Sequence, residues 1–214
     1  MKVQYQLDAP PVVKFFCLLG LACSVGSLTI HIINSYFNYT ILYWSFWLIF
    51  YSGTSYLLIS LAMVLTSFIT KKRLIKILLP KLLTGHRKVL EIGIGSGLGA
   101  ITLAENNPAM LIDAIDTFNI NDHKNNSLTL CQHNLKASHV DKNVTAHTAD
   151  MRDMPFNSNH FDAAFGILSI HNLKRKIERK TALLEIIRVI KPGGKLIIID
   201  FKYHKEYRKH LRQL

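Results

Sequence analysis

From Phe15 to Ile33 the chain carries no formally charged residue, and from Ile41 to Ile69 it again carries none. As a helix the shorter run would rise ~28 Å, close to the hydrocarbon thickness of a bilayer. Runs this long and this apolar restrict the chain severely, because in lipid a single segment satisfies its own backbone only as a helix. Tyr43, Trp44, Phe46, Trp47, Phe50 and Tyr51 crowd the first half of the second run, where an interfacial aromatic belt would sit. A short polar link, Asn34-Ser35-Tyr36-Phe37-Asn38-Tyr39-Thr40, separates the two. The expectation is a transmembrane hairpin over residues 1–70, with helices at about 12–33 and 41–69. The first run exceeds the apolar core of a secretory signal, about 7–15 residues, and a second follows at once, so both are read as retained.

Lys2 and Lys14 precede the first run, Lys71-Lys72-Arg73 follows the second, and the link has no Lys or Arg. The positive-inside rule then puts both ends, and everything after residue 70, in the cytoplasm. Asn125-Asn126-Ser127 and Asn143-Val144-Thr145 are accordingly chance glycosylation matches. The net charge of +12 raises the question of nucleic acid, yet no basic stretch is interleaved with aromatics and no nucleic-acid signature is present, so no such partner is expected. The cluster at Lys71–Arg73 suits anionic lipid headgroups instead. Residues 71–86 form a basic juxtamembrane stretch, either an interfacial amphipathic helix or the first helix packed on the following domain. Cys17, Cys23 and Cys131 have no metal-ligand spacing, and no metal is expected.

Beyond Gly85 the pattern changes. Short β-branched or apolar runs occur at Lys88–Ile92, Leu111–Ile115, Val144–Thr148, Phe161–Ile167 and Lys195–Phe201. Between them Leu128, Cys131 and Leu135, behind the capping candidates Asn121 and Asp122, recur at helical spacing. Leu183, Ile187 and Ile190 do the same before Pro192-Gly193-Gly194, which would stop a helix and turn the chain. Alternating strands and helices with continuous apolar strands predict an α/β domain, a Rossmann-like doubly wound parallel sheet, over residues 87–214. In such sheets ligands bind beyond the C-terminal strand ends.

The informative residues fall there. Glu91-Ile92-Gly93-Ile94-Gly95-Ser96-Gly97 ends the first strand with alternating glycines, which free the backbone for a tight turn and a close ligand. A dinucleotide fingerprint would need glycine at position 98, which is leucine, so the nicotinamide pattern fails. Asp116, 23 residues after Gly93, can accept from both ribose hydroxyls. Asp150 can accept from an adenine amino group while Met151 packs on the ring, or Asp150 can be a turn or cap.

The stretch Val89-Leu90-Glu91-Ile92-Gly93-Ile94-Gly95-Ser96-Gly97 resembles the first motif of class I S-adenosylmethionine-dependent methyltransferases. Asp116 matches their ribose acid, and Ala149-Asp150-Met151-Arg152-Asp153-Met154-Pro155-Phe156 resembles their adenine-contacting segment. Phe161-Asp162-Ala163-Ala164-Phe165 and the stretch from Leu184 to Leu196, with Lys191-Pro192-Gly193-Gly194, resemble the fourth and fifth strand regions. The resemblance covers residues 87–201 and is strongest to the ubiquinone/menaquinone-biosynthesis-like branch, which includes members anchored by an N-terminal hairpin. It implies S-adenosylmethionine as cofactor. Glu91, Gly93, Gly95 and Gly97 would shape the methionine side, Asp116 would hold the ribose, and Asp150 with Met151 the adenine. Ile94 departs from the small residue or cysteine common there. The family fold also continues past the fifth strand with a helix and a β-hairpin, whereas this sequence ends at Leu214. The expectation is a sheet lacking its last antiparallel strands, with an edge for membrane, a partner or a second protomer to cover.

His171, in Ser169-Ile170-His171-Asn172 after the fourth strand, is either a base for the methyl acceptor or a positioning hydrogen bond. Phe118 is either pocket wall or core. A membrane anchor favours a small-molecule or lipid-like acceptor. Two other functions stay open: a non-catalytic membrane protein with a shortened cofactor-binding domain, and an NAD-dependent oxidoreductase, for which no Tyr-x-x-x-Lys pair is found.

Overall fold

The two charge-free runs form helices α1 (Pro10–Phe37) and α2 (Thr40–Leu65) in the computed structural model, which describes residues 10–37, 39–66, 71–119 and 127–212. Each is long and apolar enough to cross a membrane. α1 runs past the expected residue 33 because nothing from Asn34 to Phe37 breaks a helix, and Ser35 Oγ donates back to Ile32 O at 2.6 Å. Glycines bring the helices together. A Cβ on Gly20 would lie 2.7 Å from Leu57 Cγ, and one on Gly53 would lie 3.1 Å from Gly20 O. Close backbone approach at small residues is how apolar helices pack when water supplies no driving force. Phe16 stacks on Tyr56, while Phe15, Leu18, Trp44 and Leu48 face outward.

The described residues divide into two compact units, residues 10–73 and residues 74–212. The division falls inside α3 (Lys71–Leu82), within the expected juxtamembrane stretch. Ile75, Leu79 and Leu83, one helical turn apart, are buried in the core of the second unit. One face of α3 thus packs on the domain. Its other side still exposes Ile77, Leu78 and Leu82.

Among the described residues the second unit holds a five-stranded, wholly parallel sheet in the order β3-β2-β1-β4-β5. The strands are β1 (Lys88–Ile92), β2 (Leu111–Asp116), β3 (Val144–Thr148), β4 (Phe161–Ile167) and β5 (Ile190–Ile199). The helices are α4 (Leu98–Asn106), α5 (Leu128–Ala137), α6 (Lys176–Val189) and α7 (His204–Leu211). Alternate strand residues face opposite layers. Val89, Ile112 and Ala163 join the layer of α3, α4 and α5, whereas Leu90, Ile115 and Ala164 join that of α6 and α7. The strand reversal between β1 and β4 creates the crevice at which such sheets bind ligands.

Three details differ from expectation. Asn121 and Asp122 lie outside the described residues, and Ser127 caps α5, its Oγ accepting from Leu130 N at 3.2 Å. The buried face of α6 is Arg179, Ala182, Leu183, Ile186 and Val189, while Ile187 is 37% exposed and Ile190 already lies in β5. Lys191-Pro192-Gly193-Gly194 does not separate helix from strand; it is an outward bulge within β5, between the Phe161–Ile190 and Ala163–Lys195 pairs. Asp162 fastens it. Its Oδ1 accepts from Lys191 Nζ at 2.6 Å, and its Oδ2 accepts from the amides of Arg87 and Lys88 at 3.0 and 2.9 Å.

Candidate functional site

β1 ends in a turn whose glycines all take positive φ: Gly93 at 77°, Gly95 at 52° and Gly97 at 92°. L-residues rarely adopt that region, which accounts for glycine at these positions. A Cβ on Gly93 would also overlap Ser169 Cβ, whereas a Cβ on Gly95 would meet nothing within 4 Å. The turn thus packs tightly on β4's end at Gly93 and opens onto free space at Gly95.

The turn and the second strand are joined directly. Asp116 Oδ2 accepts from Gly95 N at 2.9 Å, Asp116 Oδ1 accepts from Phe118 N at 2.8 Å, and Gly93 N donates to Ile115 O at 2.8 Å. Phe118 is partly buried against the core, with φ 50°. Beneath the turn Glu91, only 2% exposed, accepts from Ala100 N at 2.8 Å in the first turn of α4. A carboxylate beside a helix N-terminus is favoured by the helix dipole and by the amides left unbonded there. Glu91 thus supports the turn from below. Asn134, fully buried on α5, donates to Ser96 O at 2.9 Å and holds the turn from the side. It sits three residues after Cys131 on the helix's inner face, and only a polar residue interrupting that apolar face could have signalled it.

Cys131 is an inert filler: burial first, then Glu91 and Asp116, push its thiol up to about 12.

The third strand brings Asp150 beside this group. Asp116 pairs in register with Thr148, and Ala149 N donates to Asp116 O at 3.0 Å, so Asp150 begins the neighbouring strand end. Its carboxylate, however, is engaged by Arg152. Arg152 Nε donates to both oxygens at 3.0 Å, Nη2 to Oδ2 at 2.5 Å, and the Arg152 amide to Oδ1 at 2.8 Å. These bonds hold the Asp150 carboxyl below the usual range. Arg152 Nη1 also reaches Glu178 Oε1 at 2.9 Å. Met151 is partly buried against the α6 layer.

At the end of β4, Leu168 takes φ 52° and its amide donates to Ile199 O at 2.7 Å. Such strained residues cluster at functional sites. Ser169 Oγ, next in the chain, is buried beside Gly93 with no hydrogen-bond partner. His171, in a short 3₁₀ turn, has Nδ1 2.7 Å from Asp200 Oδ1, and its amide donates to Asp200 Oδ2 at 3.0 Å. Asp200, just past β5, is the partner that no sequence motif indicated.

Glu91, Gly93, Gly95, Gly97 and Asp116 are therefore one connected piece, with Asp150 at the adjacent strand end, Met151 beside it, and His171 across the sheet at the ends of β4 and β5. A buried unsatisfied hydroxyl at Ser169, an open cradle at Gly95 and a carboxylate tied to that cradle suit a nucleoside ligand carrying a polar amino-acid tail. Fold and site define a Rossmann-like domain with a crevice at its topological switch point, between β1 and β4.

Residues 90–198, just over half of the chain, match the family model described as "Methyltransferase domain", and the chain belongs to that family. It is 30% identical over 119 residues to the ubiquinone/menaquinone biosynthesis C-methyltransferase UbiE of Geobacter sp. strain M21. It is 29% identical over 130 residues to the UbiE of Rickettsia prowazekii. Each match covers 56% of this chain and 47% of the relative, so the chain spans about half the length of those proteins. Among solved structures, the [4+2]-cyclase SpnF superposes with a TM-score of 0.56 at 22% identity, covering 66% of this chain and 56% of that one. The YcgJ protein from Bacillus subtilis gives 0.51 at 20% identity, covering 60% and 50%. These two establish the fold. A fold shared with a cyclase leaves the chemistry to be argued from the site.

Proposed function

We propose that this chain is an S-adenosylmethionine-dependent methyltransferase, anchored in a membrane by α1 and α2, with its α/β unit on the cytoplasmic side and a small-molecule or lipid-like acceptor. The observation that carries the reading is the bond between Gly95 N and Asp116 Oδ2, which joins the glycine turn to the second-strand acid. When bound, S-adenosylmethionine supplies an already activated methyl group, so the protein's part is alignment and exclusion of water. Gly93, Gly95 and Gly97 lay bare backbone against the methionine end, and the Ser169 hydroxyl donates to its polar tail. Glu91 acts through the turn it supports rather than by contact. Asp116 takes the ribose hydroxyls. Asp150 takes the adenine amino group after releasing Arg152, and Met151 lines the ring.

Family membership and the failed nicotinamide fingerprint at Leu98 both favour methyl transfer over hydride transfer. Membrane residence is supported by two helices with mostly outward-facing apolar surface, by the basic residues at 71–73, and by the apolar side of α3 at Ile77, Leu78 and Leu82.

Two measurements test the proposal. Incubation with radiolabelled S-adenosylmethionine and a membrane lipid extract should put label into the organic phase, and label only in unreacted cofactor would refute it. Alkaline carbonate washing should leave the protein in the membrane pellet; quantitative release would refute the anchor.

A further inference from the structure

His171 and Asp200 lie 29 residues apart in sequence, at the ends of β4 and β5, and meet through two contacts. The ring nitrogen Nδ1 is 2.7 Å from Oδ1, and the main-chain amide of His171 donates to Oδ2 at 3.0 Å. The Asp200 side chain is 1% exposed and that of His171 15%. A third group closes the arrangement: Tyr207 Oη, from α7, donates to Asp200 Oδ2 at 3.2 Å. The Phe201 ring lies 4.3 Å from the His171 ring, centroid to centroid, and fixes its plane.

A buried carboxylate is costly unless it is hydrogen-bonded. Burial pushes Asp200 up, but the His171 ring and the amides of Phe201 and His171 outweigh it, so the carboxyl titrates below the usual range. Burial, then Asp200, push the Tyr207 hydroxyl up, so it stays protonated as a donor. An ionised Asp200 facing Nδ1 demands a proton on that nitrogen. The lone pair of the neutral ring is then on Nε2, on the opposite side.

The surroundings keep α7 in place. Arg179 of α6, 4% exposed, grips Glu206 at 3.0 and 2.9 Å and lies 3.7 Å over the Tyr203 ring. Its Nη1 donates to Leu173 O and Lys174 O at 2.8 and 2.9 Å, tying the segment just after His171 to the same clamp. Among the described residues, the charged and titratable groups of this arrangement are Asp200, Tyr207, Tyr203, Arg179 and Glu206.

We propose that Asp200 and Tyr207 hold His171 as a proton acceptor at Nε2, and that the methyl acceptor is accordingly a group that carries a proton, such as a hydroxyl, an amine or an acidic carbon. This rests on the methyltransferase reading above. As the acceptor atom takes the methyl carbon, the sulfur that releases it keeps the bonding pair, and the acceptor's proton passes to His171 Nε2. The imidazolium then faces the Asp200 carboxylate and returns its proton to water. An acceptor with no proton to lose, such as a thioether or a tertiary amine, has no use for this pair. His171 is the catalytic residue; Asp200 and Tyr207 are positioning residues.

Ring ¹⁵N shifts of His171, measured at alkaline pH on the full chain in detergent micelles, read the tautomer without cofactor. The expected result is a ring protonated on Nδ1, a preference lost in Asp200→Ala. A ring protonated on Nε2, or the same preference kept in Asp200→Ala, overturns the proposal. With radiolabelled S-adenosylmethionine and membrane lipid extract, His171→Ala should lower methyl incorporation about a hundredfold or more. Its cofactor Kd should stay within about twofold of wild type, since the proposal gives His171 the acceptor's proton and no contact with the cofactor. Incorporation within about threefold of wild type overturns the proposal. Failure of the wild type to bind S-adenosylmethionine counts against the methyltransferase reading, and the ring measurements still decide the pair.

Discussion

The amide of Gly95 donates to Asp116 Oδ2 over 2.9 Å, joining the turn after the first strand to the acid that ends the second. Neither residue can therefore be altered without disturbing the other's place in the crevice. The same logic extends downward, where Glu91 supports α4, and sideways, where Asn134 grips Ser96 O.

Gly99 has no room for a side chain. A Cβ there would overlap Glu91 Oε1 and lie 2.8 Å from Phe165 Cε2. Gly99→Ala should cost about 3 kcal/mol, from overpacking and the weakened charge-assisted bond to Ala100 N. In Glu91→Ala the overlap is gone, so adding Gly99→Ala should cost clearly less than it does alone. Denaturant titration of the four proteins checks this; strict additivity would contradict it.

Arg152 holds the carboxylate that the proposed adenine contact of Asp150 would use. Asp150→Ala should weaken adenosine binding about tenfold, the loss of one good hydrogen bond. Arg152→Met frees the carboxylate and should tighten adenosine binding about threefold or more. Competition of adenosine against a fluorescent nucleoside reads both. Weaker binding in Arg152→Met would make Arg152 part of the cradle instead of a competitor.

Asp162 links the start of β1 to the β5 bulge, and Lys191 first, then the amides of Lys88 and Arg87, lower its carboxyl from 3.8 to about 2. A depressed folded-state value gives stability that is present above the unfolded value and lost as pH falls toward the folded one. Asp162 is 26% exposed at its side chain, so with solvent screening Asp162→Asn should cost about 1 kcal/mol at pH 7. About half of that difference should be gone at pH 3, and a cost unchanged between the two pH values would contradict the assignment.

Much of the framework was legible because it is local. β1, β3 and β4 begin and end where the apolar runs do, and β2 extends one residue further, through Asp116 itself. The face of α6 was not legible, because the helix is apolar on more than one side: Ile177, Leu184 and Ile187 are exposed opposite Leu183 and Ile186. Lys191–Gly194 read as a punctuating turn because Pro and Gly end helices. Its conversion to a strand bulge depends on Asp162, a partner 29 residues away. Asp200 followed a strand with no motif around it, and its meeting with His171 follows from strand order alone. Arg152 stood two residues from Asp150 in plain view, but whether it faced that carboxylate or solvent was a matter of side-chain packing.

We propose that the glycine turn and Asp116 form one nucleoside-binding surface. Isothermal titration of the full chain in detergent with S-adenosylmethionine checks this in the wild type, Asp116→Asn and Asp116→Ala. Binding by the wild type should weaken by about tenfold or more in Asp116→Asn, which keeps one acceptor for Gly95 N, and further in Asp116→Ala. Wild-type affinity in both variants, or no heat of binding from a folded wild type, would contradict the account.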